Sequence, residues 1–423
     1  MRQGARGADP RRDGVSFDLL IHHTSEVLTC DGPLEGPAEQ TLGAIQRGAI
    51  GIEGRRVSWL GVDPPRGAVG PHTRCIDAGG GFAGPGFVEC HSHLVFAGDR
   101  ADEFEQRCRG TSYLELAAAG GGIQRTVRET RGASEETLVA LALPRLERFL
   151  RQGVTTVEIK SGYGLDVASE LKLLRVIHRL AEAQTVTLVP TVLPLHAVPL
   201  EHQTDRAEWI RLCTEQLLPA VHASGLARFC DAFVEETAFT RDEARVVLTR
   251  ARQLGLVPRL HVDQLTASRG AELAAELGAL TADHLEHVSP AGIAALSANG
   301  TIAVLAPTST LCLGVRPWAP GRALRDAGVK VAVSSNCNPG SSMSENVFLA
   351  MGLACLGNGL TPAEAYLGFT RVAALALADP GFGRLFVGGP ADVVVYRADS
   401  YRQLPYHLGM SEVATVVKAG REC

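Results

Sequence analysis

The chain has 423 residues, 45% hydrophobic, 21% charged and 5% aromatic, which is ordinary globular composition and enough to bury a large core. At about 150 residues per domain this length allows two or three domains, or one α/β barrel of about 250 residues with an appended module. A net charge of −5 with the 13 histidines neutral, and no basic run on any element, argues against nucleic acid as a partner, and no apolar stretch approaches the ~20 residues that a membrane span needs.

The opening MRQGARGADPRRDG carries charge without an apolar segment, so residues 1–16 are expected to form a disordered tail and not a signal peptide. Ten scattered cysteines without a CxxC pair fit reduced thiols in a cytoplasmic protein. Residues 17–85 hold short apolar runs, Phe17 to Ile21 and Ala49 to Ile52 among them, broken by Gly and Pro in the manner of a small all-β module.

From residue 86 the pattern changes to apolar runs alternating with long amphipathic segments. The runs are GFVEC (86–90), VTTVEIK (154–160), VTLVPTVL (186–193), ARFCDAFV (227–234), VPRLHV (257–262), LTADH (280–284), TIAVLA (301–306) and VKVAVSS (329–335). Eight such runs separated by helical segments predict an α/β fold, a closed parallel (β/α)8 TIM barrel over residues 86–385. SEETLVALALPRLERFLRQG shows helical periodicity, an N-cap at Ser134 and a terminal Gly153, and ASELKLLRVIHRLAEA reads the same way. Beyond about residue 385, PADVVVYRADS and VATVVKAGREC return to short strands. Residues 17–85 plus 386–423 are therefore expected to form one composite β-sandwich module.

Active sites of such barrels lie at the C-terminal ends of the strands. There the runs end in His91-Ser92-His93, in Lys160 with Tyr163 beyond, before His196, in His261-Val262-Asp263-Gln264, in His284, and in Ser335-Asn336. Residues two apart on an extended strand point to one side, so His91 and His93 can reach one ion, and His261 and His284 occupy matching positions on later strands. Any one of these histidines could be a structural cap, but capping does not explain their gathering on one face. The other eight histidines read as surface or structural residues. Gly120 to Gly122, in AAGGGIQRT, lacks the Lys-Ser/Thr of a phosphate loop and reads as a flexible substrate lid over the barrel mouth.

The stretches ECHSHLVFAGDR (89–100), EIKSGYGLD (158–166), LPLHAVP (193–199), HVDQL (261–265), ADHLEHVS (282–289) and NCNPGSSM (336–343) resemble the imidazolonepropionase family of the amidohydrolase superfamily. The resemblance covers nearly the whole chain and implies a metal-dependent hydrolase of histidine degradation that opens 4-imidazolone-5-propanoate to N-formimidoyl-L-glutamate. It implies one divalent metal, zinc or iron, on His91, His93, His261 and Asn336, and His284 as catalytic acid/base. Arg100 would pair with the substrate's propionate, and Tyr163, His196, Gln264, Asn338, Gly340 and Ser341 would line the pocket. It also implies a cytoplasmic homodimer acting on a small molecule.

Two positions depart from the family pattern. Asn336 stands where a metal-binding Asp is usual, and Gln264 where some members have Glu, so two carboxylate bases are missing. Asp263 shares the parity of His261 but has no family role. The alternatives are another cyclic amidohydrolase or deaminase, which would not need Arg100 with the KSGYGLD loop, and a catalytically impaired binding barrel, for which Asn336 speaks.

Overall fold

Eight parallel strands form the centre of the molecule, in the order of the chain: Phe87–Glu89, Val154–Lys160, Thr187–Leu195, Phe229–Val234, Val257–Val262, Thr281–His284, Ile302–Leu305 and Val331–Val333. They are called the first to eighth barrel strands below. In this computed structural model residues 16–111, 115 and 121–423 are described, so the tail expected over residues 1–16 lies outside them except for Ser16. The strands coincide with the eight apolar runs, each a near-continuous buried stretch, as a sheet covered on both faces requires. Ser335 N donates to Glu89 Oε2 at 2.9 Å and His93 N to Cys337 O at 2.9 Å, linking the two ends of the series into a barrel.

The eighth strand is shorter than its run, ending at Val333. Beyond it Asn336 takes a left-handed backbone, φ 50°, which ends the extended chain. One helix begins at its expected cap, Ser134, and the next at a cap not marked in the sequence, Asp166. Ser134 accepts from Thr137 N ahead of Glu135–Arg151, and Asp166 accepts from Ser169 N ahead of Val167–Ala183.

Two further sheets are built from the flanking segments. One orders Arg421–Glu422, Val413–Lys418, Val393–Tyr396, Ala83–Pro85, Glu26–Leu28 and Ala44–Gln46; the other orders Arg56–Gly61, Ala49–Glu53, Leu19–His22 and Arg74–Asp77. Leu19, Ile21, Val27, Ile50, Ile52, Val393, Val395 and Val417 pack in one cluster between them. Gly86 alone separates Ala83–Pro85 from the first barrel strand, and a side chain on it would overlap Thr155. The ten cysteines are all unpaired, and no helix among the described residues is long and apolar enough to cross a membrane.

Candidate active site

Five imidazoles converge at the barrel mouth. The His91 ring centroid lies 4.4 Å from that of His261, 5.3 Å from His93 and 5.5 Å from His284, and His93 stacks on His196 at 4.8 Å with the planes 18° apart. Tyr163 closes one side, 5.2 Å from His196. Burial, reinforced for each by neighbouring cationic or imidazole groups, holds His91, His93 and His284 well below the usual histidine range and lowers His196 to about 3. These four rings are therefore neutral at physiological pH and offer lone pairs.

Ligand atoms of His91, His93 and His261 all lie within 4.8 Å of one another. His91 Nδ1 meets Asp283 Oδ2 at 2.5 Å and His261 Nδ1 meets Asp231 Oδ1 at 3.1 Å, so in each ring the carboxylate takes the N–H and Nε2 keeps the lone pair. His91 Nε2 is buried without a hydrogen-bond partner among the described residues, and His261 Nε2 faces His93 Nε2 at 3.3 Å. Two nitrogens each about 2.1 Å from one tetrahedral ion stand about 3.4 Å apart, so the donor set fits a bound divalent cation. Asn336, beyond the end of the eighth strand, is 2% exposed and its Oδ1 also lacks a protein partner among the described residues.

Beneath the histidines lies a buried charge network, of which the sequence marks Lys160 at a strand end but not its partners. Lys160 Nζ lies 2.8 Å from Asp231 Oδ2, 2.9 Å from Glu158 Oε1 and 3.9 Å from Asp283 Oδ2, and Arg259 Nη2 lies 3.3 Å from Asp283 Oδ2. Burial opposes ionisation of Asp231, but His261, Lys160 and Arg259 outweigh it and hold the carboxyl well below its usual range. Burial and Arg259 would lower Lys160, yet Asp231, Glu158 and Asp283 leave it raised, a stable ammonium. The available signal was five ionisable residues, Glu158, Lys160, Asp231, Arg259 and Asp283, inside runs otherwise fit for a fully covered sheet, because charges buried there must be paired.

The other expected site residues separate into two groups. Arg100 is 9% exposed; its Nε donates to Glu103 Oε2 at 2.7 Å, and Gly340 packs against its guanidinium. Glu103 Oε1 accepts from Gly122 N at 3.0 Å, joining this arginine to the glycine-rich loop, of which Gly120 lies outside the described residues. Asn338 uses its amide inside its own loop: Oδ1 accepts from Gly340 N and Ser341 N, each at 2.8 Å, and Nδ2 donates to Asn336 O at 2.7 Å and to Ser341 Oγ at 2.9 Å. Gln264 is buried, its backbone N–H donating to Glu235 Oε1 at 2.8 Å. Asp263 accepts from Gly270 N and Ala271 N and so anchors the start of the next helix, which accounts for it without a catalytic role. Behind His284, Glu286 Oε2 lies 3.9 Å from Nδ1, and Glu286 Oε1 accepts from Thr310 Oγ1 at 2.7 Å.

No family model matches the chain. Among solved structures it is similar to a 5-methylcytosine deaminase from Klebsiella pneumoniae (TM-score 0.72, 18% identity, 95% of this chain and 96% of that one). It is also similar to an adenosine deaminase from Xanthomonas campestris described with bound zinc (TM-score 0.70, 18% identity, 97% and 93%). These likenesses establish the fold. Curated relatives are nearer in sequence. The imidazolonepropionase of Myxococcus xanthus is 58% identical over 407 residues, 96% of this chain and 97% of its own, and that of Symbiobacterium thermophilum is 44% identical over 410 residues, 96% of each. With identity of this order along almost the full length of both partners, the chain belongs to the imidazolonepropionase family.

Proposed function

We propose that this protein hydrolyses 4-imidazolone-5-propanoate to N-formimidoyl-L-glutamate, using one zinc or iron ion held by His91, His93, His261 and Asn336. The observation that carries the reading is the cluster of three buried imidazoles with mutually facing nitrogens, in a chain of this family. When bound, the ion supplies Lewis acidity and lowers the pKa of water to about 7.

The residues of the chain do the rest. Arg100, its Nε fixed by Glu103, pairs with the propionate and sets the ring's orientation. Tyr163 and His196 flank the imidazolone ring, with Gln264, Asn338, Gly340 and Ser341 around it. Water oxygen adds to the ring carbonyl carbon, the bond from that carbon to the ring nitrogen breaks, and the resulting carboxylic acid gives up its proton, taken up by the basic formimidoyl group, to leave a carboxylate. The departing nitrogen needs a proton. His284, neutral and buried, takes one from the attacking water and returns it to that nitrogen. Asn336 is neutral and cannot serve as this base, and in this reading the task falls to the imidazole of His284.

The reading includes a composite β-sandwich module of residues 17–85 and 386–423 on a barrel of residues 86–385, and a cytoplasmic homodimer. It is tested by incubating the metal-analysed protein with 4-imidazolone-5-propanoate and following loss of imidazolone absorbance with mass detection of the product. Turnover with about one ion per chain is expected; a metal-replete protein that leaves the substrate unchanged overturns the assignment.

A further inference from the structure

Lys160 takes no part in the chemistry above, yet it is 0% exposed and sits where the supports of His91, His93 and His261 meet. Its Nζ holds Asp231 through Oδ2, while Asp231 uses Oδ1 for His261 Nδ1 and for Ala232 N at 2.7 Å. Oδ1 thus makes the hydrogen bonds, while Oδ2, without a hydrogen-bond partner among the described residues, is held by the charge of the adjacent ammonium. Its Nζ also holds Glu158, whose Oε2 accepts from Ser92 N at 3.2 Å and whose carbonyl accepts from Ser92 Oγ at 2.6 Å. Lys160 N in turn donates to Ser92 O at 2.9 Å. Ser92 is the residue between His91 and His93, so the second barrel strand grips the histidine pair by its middle residue. Asp283, 3.9 Å from the same ammonium, carries His91.

We infer that Lys160 is a positioning residue for the three-histidine cluster, holding Asp231, Glu158 and Asp283 so that His261, His91 and His93 present their donor nitrogens to one point before a cation enters. One flexible chain with three donors on a single nitrogen suits this task, because it can face three carboxylates from three strands at once. An apolar residue of the same length would leave Asp231 and Glu158 without their close cation in the barrel interior, Asp283 keeping Arg259.

The inference rests on the metal reading of the cluster. The test measures cobalt(II) affinity by chelator competition, and the visible spectrum of the cobalt form, in the full-length protein and four variants: Lys160→Met, the charge-balanced Lys160→Met/Glu158→Gln, Lys160→Arg, and the near-isosteric Asp231→Asn. Loss of such support typically weakens metal binding about 10–100-fold, and that loss is expected with an altered cobalt spectrum in every variant that retains a cooperative melt. If the methionine variants do not fold, Lys160→Arg, which keeps the charge and moves the donors, decides, and Asp231→Asn is the control for loss of the direct support of His261. An affinity within threefold of the wild type and an unchanged spectrum in the folded Lys160 variants, even with a lowered melting temperature, overturn the inference and leave Lys160 a purely structural charge. A wild type that takes up no cobalt instead overturns the metal reading and this inference with it.

Discussion

Gly340 packs directly on the guanidinium of Arg100, so closely that a methyl group on its Cα would overlap Arg100 Nη1. The arginine cannot swing away freely, because its Nε is held by Glu103 in a buried pair. Gly340→Ala is therefore expected to push the guanidinium out of register and raise KM for 4-imidazolone-5-propanoate about tenfold, worth about 1.4 kcal/mol, with kcat changed far less. Steady-state kinetics on imidazolonepropionate checks this; an unchanged KM removes Arg100 from the carboxylate's path.

Arg100→Lys keeps the charge and loses the planar fork. Weakening of about 10–100-fold in kcat/KM is expected if the guanidinium grips the propionate at two points. The same variant should lose little on a substrate analogue whose propionate is replaced by an uncharged chain, and comparison of the two substrates isolates the contact.

Asn336→Asp places an ionised carboxylate where a buried amide oxygen now lacks a protein partner. Without metal that charge has no compensation, so the metal-free variant should melt lower than the wild type, by about 1–3 kcal/mol of stability. With metal the order should reverse, and chelator competition should show tighter binding. Calorimetry with and without chelator reads both. Equal shifts in the two states place residue 336 away from the ion.

Burial, against the pull of the Thr310 hydroxyl, pushes Glu286 up to about 7 from an ordinary 4.5. Between those two values the unfolded chain has released this proton and the folded protein keeps it. Folding then takes up a proton, so the stability linked to this carboxyl is full below about pH 4.5, declines as pH rises to about 7, and is flat above. Glu286→Gln should flatten that window in the pH dependence of chemical denaturation, by about 3 kcal/mol at most. A slope identical to the wild type would show that Glu286 ionises normally.

The barrel was legible because each of its strands is buried on both faces and so appears as an apolar run, and the mouth was legible because histidine is rare enough for five at strand ends to stand out. What escaped were the charged residues within those same runs. Asp231 and Arg259 lie opposite each other in register on neighbouring strands, yet in the sequence they stand 28 positions apart amid apolar neighbours, and pairing across strands has no local signature. Glu103 was hidden for a different reason. It lies in a short helix among other acids, and its partners, Arg100 and Gly122, meet it only through the loop's fold. Asp263, at the right parity to face the mouth, instead anchors a helix, because its backbone turns at φ 52° before the strand pattern could carry it inward.

The strand Ala83–Pro85, one residue from the strand Phe87–Glu89 that leads into His91 and His93, pairs along its length with Val393–Val395. His93 and Val88 receive further support from Cys337 and Phe369. During synthesis the second barrel strand, which holds Ser92, follows the histidine pair soon after, but the support from Val393–Val395 follows only some 300 residues later. Such long-range pairing is slow to form. The candidate metal-binding pair is thus held on one side well before the other, and loss of residues 393–395 would weaken the site while leaving every candidate ligand in the polypeptide.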